Sequence, residues 1–161
     1  EQILRDVMPT SQEEITPQSI GIAVNLPKGS VILAADDSPM ARSMIEQGLK
    51  AMGAPYIMTK TGQEAWDRLQ AISEEARAEG KTVQDKVALV LTDLEMPVMD
   101  GFTLTRNIKQ DQRFKSIPVV IHSSLTGTAN EGHVKTVGAD AYVAKFVAKE
   151  LALTIRHVLT H

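Results

Sequence analysis

The chain has 161 residues, of which 43% are apolar and 4% aromatic; it contains no cysteine and carries a formal net charge of −3. That is enough aliphatic side chain for one core of ordinary size, while the lack of cysteine excludes a disulfide framework or a thiolate metal site. The mixed charge gives no electrostatic case for nucleic acid. No apolar run approaches the ~20 residues of a membrane span and nothing at the start reads as a signal peptide, so the expected compartment is the cytoplasm.

Residues 1–29 differ from the rest. Ile3, Leu4, Val7 and Met8 have helical spacing and Pro9 ends the pattern. The stretch from Thr10 to Gly29 mixes polar residues, prolines and isolated apolar residues and reads as a linker. The chain opens on Glu1 rather than Met, which suggests a segment of something longer.

From Val31 the pattern becomes regular. VILAA, bounded by Gly29 and Asp36-Asp37, fits a strand buried on both faces. Ser38 and Pro39 fit the start of a helix, with Met44, Ile45, Leu49 and Met52 as its apolar stripe and Gly53 as its stop. PYIMT reads as a second strand, and Ala65, Leu69, Ile72 and Ala76 mark a second helix. The charged stretch from Ser73 to Asp85 reads as its solvated end and a loop. VALVLT is a third strand ending at Asp93, and Pro97 and Gly101 break the chain before a helix through Leu104 and Ile108. PVVIH is a fourth strand ending at Ser123-Ser124. A short, weakly patterned helix near Val134 and Val137 leads to AYVA, a fifth strand ending at Lys145. Leu151, Ile155, Val158 and Leu159 define a last helix.

Strict alternation of strand and helix predicts a doubly wound α/β fold with a parallel sheet. Five strands suggest the flavodoxin-like (βα)5 order 2-1-3-4-5, with the ligand site beyond the carboxyl ends of strands 1 and 3. The polar residues fall on those ends: Asp36 and Asp37, Asp93, Ser123 and Lys145. Taken singly each has a plain structural reading as a cap, a turn residue or a surface lysine. Together they describe a site. Three crowded carboxylates repel one another, and Mg2+, which favours a few carboxylates plus waters and phosphate oxygens, relieves that repulsion. Lys145 and Ser123 would add charge and a hydrogen-bond donor for a phosphoryl group. His122, just before Ser123, reads as a strand-end packing residue in preference to a proton-transfer group.

The segments ILAADDSPMAR, LVLTDLEMPVMDGFTLTRNIK, IPVVIHSS and GADAYVAK resemble the receiver domains of two-component response regulators, over about residues 30–160. The resemblance implies that Asp93 is both the phosphoacceptor and a direct Mg2+ ligand. It further implies that Asp37 is a ligand, that Asp36 acts through water, and that the main-chain carbonyl of Glu95 completes the set. It assigns Ser123 and Lys145 to phosphoryl sensing and Tyr142 to the aromatic switch, and it places Glu95 and Leu125 beside the path of attacking water. Glu95, the HSSLTGTANEGHV run and AKF in place of the common Lys-Pro are similar to the receivers of the CheV family of chemotaxis coupling proteins. EQILRDVMP is similar to the last helix of the CheW-like domain that precedes the receiver there.

That resemblance implies phosphorylation by a CheA-type histidine kinase, either modulating receptor–kinase coupling or draining phosphate, with chemoreceptors and coupling proteins reached through the preceding domain. It implies no enzyme beyond self-phosphorylation from donors and autodephosphorylation. With no output domain after the last helix, output is expected through protein contacts. Two other classes compete. A haloacid-dehalogenase-type phosphatase would carry Asp-x-Asp on its first strand and a cap domain; here the acids are adjacent. A pseudo-receiver that only binds partners would not need the full set of acids, hydroxyl and lysine. Phe146 stands where the family has proline, and because a non-proline cis bond costs roughly 3–4 kcal/mol, the Lys145–Phe146 bond is expected to be trans.

Overall fold

The structure, a computed structural model, describes residues 23–96, 98–123, 137–144 and 148–160. The expected helix around Ile3 to Met8, the one near Val134, Leu125, and the Lys145–Phe146 bond lie outside these residues.

Five parallel strands form one sheet in the order β2-β1-β3-β4-β5. They are β1 (Val31–Ala35), β2 (Tyr56–Thr59), β3 (Val87–Asp93), β4 (Val119–Ser123) and β5 (Ala141–Ala144). Four helices are described: α1 (Pro39–Ala51), α2 (Gly62–Ala78), α3 (Gly101–Gln110) and α4 (Ala148–Thr160), with a 3-10 turn at Val83–Asp85. This is the expected fold class, and the reversal of strand order between β1 and β3 opens a crevice at their carboxyl ends.

Side-chain alternation builds two cores, one on each face of the sheet. Leu33, Val90, Val119 and Ile121 pack with Leu69 of α2 and Leu104 and Ile108 of α3. Ile32, Leu89, Leu91 and Val120 pack with Leu49 of α1 and Ile155 of α4 on the other face. Every residue of β3 is buried, as a central parallel strand covered on both faces requires. On α1, Ile45, Leu49 and Met52 are buried as the spacing predicts, but Met44 is 38% exposed. Ala41 takes the remaining core position, because a stripe through 41, 45, 48, 49 and 52 follows the 3.6-residue repeat more closely than one through 44.

Local chemistry fixes the helix starts. Ser38 caps α1 by accepting from the Ala41 amide at 3.3 Å, Pro39 occupies the first turn, and Asp100 caps α3 by accepting from Thr103 N at 2.7 Å. Thr61 does the same for α2 through Glu64 N at 3.0 Å, a cap that the apolar pattern alone does not reveal. The segment read as a linker joins the packing before β1. Val24 is 3% exposed, its amide donates to Met52 O at 2.8 Å, and Leu26 packs against the α1/α4 core.

Val98, between β3 and α3, has φ of 69° and is 90% exposed. A β-branched side chain in the left-handed region is strained by roughly 1–2 kcal/mol, and here burial returns nothing for it. Val98→Asn, which tolerates that conformation, is expected to raise stability by about 1 kcal/mol. Urea denaturation of the two proteins checks this, and an unchanged midpoint would mean that the loop relaxes at no cost.

Candidate functional site

The polar residues at the strand ends meet where the fold opens. Asp36 follows β1, Asp93 ends β3 and Ser123 ends β4; all three are buried, at 0%, 2% and 0% exposure. Alternation aims Asp36 to the same face as Ile32 and Ala34, and Asp93 to the face of Leu89 and Leu91. The register of β3 matters here. Val31 pairs with Val87 but Ile32 pairs with Leu89, so β3 carries one extra residue at this irregularity. Beyond the extra residue, Asp93 points to the α1/α4 side and not to the side of Val87.

Asp36 is held tightly. Its Oδ1 accepts from Ser38 N at 2.9 Å, its amide donates to Thr59 O at 3.2 Å, and Arg42 Nη1 donates to its carbonyl at 2.9 Å. Behind Asp93, Thr92 Oγ1 donates to the Asp93 carbonyl at 2.9 Å, Leu94 N donates to His122 O at 3.1 Å, and Gly101 N donates to Leu94 O at 2.8 Å. These bonds fix the start of the β3–α3 loop against β4 and the beginning of α3.

Asp36 and Asp93 lie within 4.8 Å of each other and of a ring nitrogen of His122, measured between potential ligand atoms. Burying two carboxylates together is costly unless a positive charge compensates them. Hard oxygen donors in such number suit a small divalent cation, so the donor set fits Mg2+. Asp37 and Glu95 are exposed at the rim and lie outside the group of three. Tyr142, on β5, is partly buried and packs against the α2/α3-side core. Lys145 lies outside the described residues; the strand that leads to it ends at Ala144, paired with Ser123.

Residues 32–156 match the response regulator receiver domain. The chain belongs to that family. As a receiver it resembles the chemotaxis protein CheV2 of Helicobacter pylori, at 28% identity over 160 residues, 99% of this chain and 48% of that protein. It therefore spans about half the length of the CheV relatives it matches. Among solved structures it is similar to the chemotaxis protein CheY4 of Vibrio cholerae, with a TM-score of 0.66 and 26% identity, covering 80% of this chain and 98% of that one. The receiver domain of the sensor histidine kinase PA1611 from Pseudomonas aeruginosa shares the fold, with a TM-score of 0.66 and 20% identity, covering 83% of this chain and 99% of that one; its structure holds a magnesium ion in the active-site cleft.

His122, read as a strand-end packing residue, is buried, at 3% exposure; what the sequence reading does not anticipate is that its Nδ1 lies 3.8 Å from Asp36 Oδ2. The signal was present in outline, since His122 is two residues after the core residue Val120 and so shares its face, but only the pairing of Asp93 with His122 brings it to the acids. Among the described residues no helix is long and apolar enough to cross a membrane.

Proposed function

We propose that this chain is the phosphoacceptor receiver of a CheV-type chemotaxis protein and that Asp93 takes a phosphoryl group from a CheA-type histidine kinase. The observation that carries this reading is the burial of Asp93 beside Asp36 at the carboxyl ends of β3 and β1, with Ser123 buried at the end of β4. The resemblance to CheV proteins over 99% of this chain supports the setting in chemotaxis, with residues ahead of the packed domain leading to a CheW-like domain, and with chemoreceptors and coupling proteins reached through it. The cytoplasm is the compartment in which such a kinase meets it.

A carboxylate oxygen of Asp93 attacks the phosphorus of the phosphohistidine. The P–O bond forms as the P–N bond breaks, and the imidazole leaves with a proton from solvent. Asp93, with Asp37, the Glu95 carbonyl and, through water, Asp36, would hold Mg2+, which when bound neutralises charge on the transferring group. The chain's own part is positional. Burial keeps water from Asp93, the Thr92 and Gly101 hydrogen bonds hold the main chain at Asp93 and Leu94, and Lys145 supplies a second positive charge. Ser123 then donates a hydrogen bond to the aspartyl phosphate. That contact draws β4 toward the site, and Tyr142, on the neighbouring strand, follows the movement inward.

The chain is thus a signalling domain rather than a turnover enzyme, with autodephosphorylation as its only hydrolysis. The adjacent pair Asp36-Asp37 and an acceptor on β3 argue against a haloacid-dehalogenase phosphatase, and the full polar set argues against a pseudo-receiver. Mg2+-dependent beryllofluoride binding tests the reading: saturable binding that needs Mg2+ and Asp93 is expected, and no binding, or binding that needs neither, would overturn it.

A further inference from the structure

Nothing in the proposed phosphotransfer uses His122, a buried imidazole beside two buried carboxylates. Asp36, Asp93 and His122 each offer a ligand atom within 4.8 Å of the others, and all three are buried. They come from three adjacent strands, β1, β3 and β4. His122 pairs in register with Asp93, and its Nδ1 is 3.8 Å from Asp36 Oδ2, a separation that two ligands of one ion can span at ordinary bond lengths of about 2.0–2.2 Å.

We propose that His122 is a side-chain ligand for a divalent transition-metal ion in this crevice, distinct from the Mg2+ ligand set, so that this receiver binds an ion of the Mn2+, Co2+ or Zn2+ class with a selectivity that an all-oxygen site lacks. The inference rests on the reading of this crevice as a metal site. Its chemical basis is the donor set. Mg2+ takes oxygen ligands, keeps several waters and gains little from imidazole, whereas imidazole suits the later first-row ions, whose affinities at a mixed N/O site rise through the series. Asp36 changes role with the ion. Its Oδ1 is engaged by Ser38 N, while Oδ2 is the oxygen that faces His122 and becomes a direct ligand to the softer metal. The same centre would thus hold Mg2+ toward the Asp37 side and a transition metal toward the His122 side.

The test is calorimetric titration of the chain with Mg2+ and, separately, with Co2+, together with the visible absorption of bound Co2+, which reports nitrogen ligation directly. His122→Val suits a buried strand end and His122→Asn keeps a polar group there; circular dichroism establishes that each is folded. In both variants Mg2+ affinity should be unchanged, the preference for Co2+ over Mg2+ should fall by about tenfold or more, and the Co2+ bands should shift. Unchanged Co2+ affinity and spectrum in both variants, with Mg2+ still bound, would overturn the assignment of His122 and leave the Mg2+ site standing. A wild-type chain that binds neither ion would overturn both readings together.

Discussion

Asp93→Asn is expected to abolish phosphorylation. With acetyl phosphate and Mg2+ the labelling rate should drop by about a hundredfold or more, leaving no hydroxylamine-labile acyl phosphate on the chain. The amide has nearly the shape of the carboxylate, so β3, whose seven residues are all buried, need not shift. What is lost is chemical: the amide oxygen is a poor nucleophile and carries no charge to hold a cation. The variant should fold well, because without bound metal it removes one of two neighbouring buried negative charges. In the absence of divalent ions it is expected to be more stable than the parent by about 1 kcal/mol, and added Mg2+ should stabilise the parent alone. Phosphate-affinity gels and urea denaturation with and without Mg2+ give both results. Undiminished labelling, with the phosphate on another residue, would end the case for Asp93 as acceptor.

Most of the fold can be read along the chain because each element is marked by its own residues. The apolar runs Val31–Ala35 and Val87–Thr92 can be little else in a chain where helical stripes alternate with them, and Ser38-Pro39 fixes where α1 begins. Asp36, Asp93 and Ser123 could be placed on one edge for the same reason, since parallel strands of this topology all end on that side. What stays hidden is everything that depends on register. His122 reads as packing and is buried, but its approach to Asp36 is set by strand pairing, and the extra residue in β3 that turns Asp93 toward Asp36 has no local marker such as a glycine. Val24 is hidden for another reason: a single apolar residue in a polar stretch has no periodicity, and its burial follows from one tertiary contact with the end of α1.

The sequence also marks Gly101 only as a break before a helix, whereas the structure gives it a definite spatial task. Gly101→Ala is expected to destabilise the domain by about 1–2 kcal/mol and to weaken Mg2+ binding and phosphorylation by about tenfold. Gly101 opens α3, and its φ is not in the left-handed region, so conformational freedom is not the reason for glycine here. Space is the reason. A Cβ at this position would collide with the carbonyl oxygen of Asp93 and come within 2.9 Å of Leu94 Cα and 3.1 Å of the Asp93 carbonyl carbon. All three are backbone atoms, two of the last residue of the central strand and one of the residue just after it, so none can retreat cheaply. Nor can α3 lift away, because Leu104 and Ile108 are fully buried beneath it. Helix propensity alone predicts a gain from this substitution of up to about 1 kcal/mol, opposite in sign to the overpacking cost of roughly 1–3 kcal/mol, and the second term wins while the contact is this close. The strain falls on the Asp93 peptide and so tilts the carboxylate that must meet both cation and phosphorus. Urea denaturation and Mg2+ titration of the variant check the two effects together. A gain in stability with unchanged Mg2+ affinity would show that α3 can slide away from β3, and that Asp93 is aimed by its strand alone.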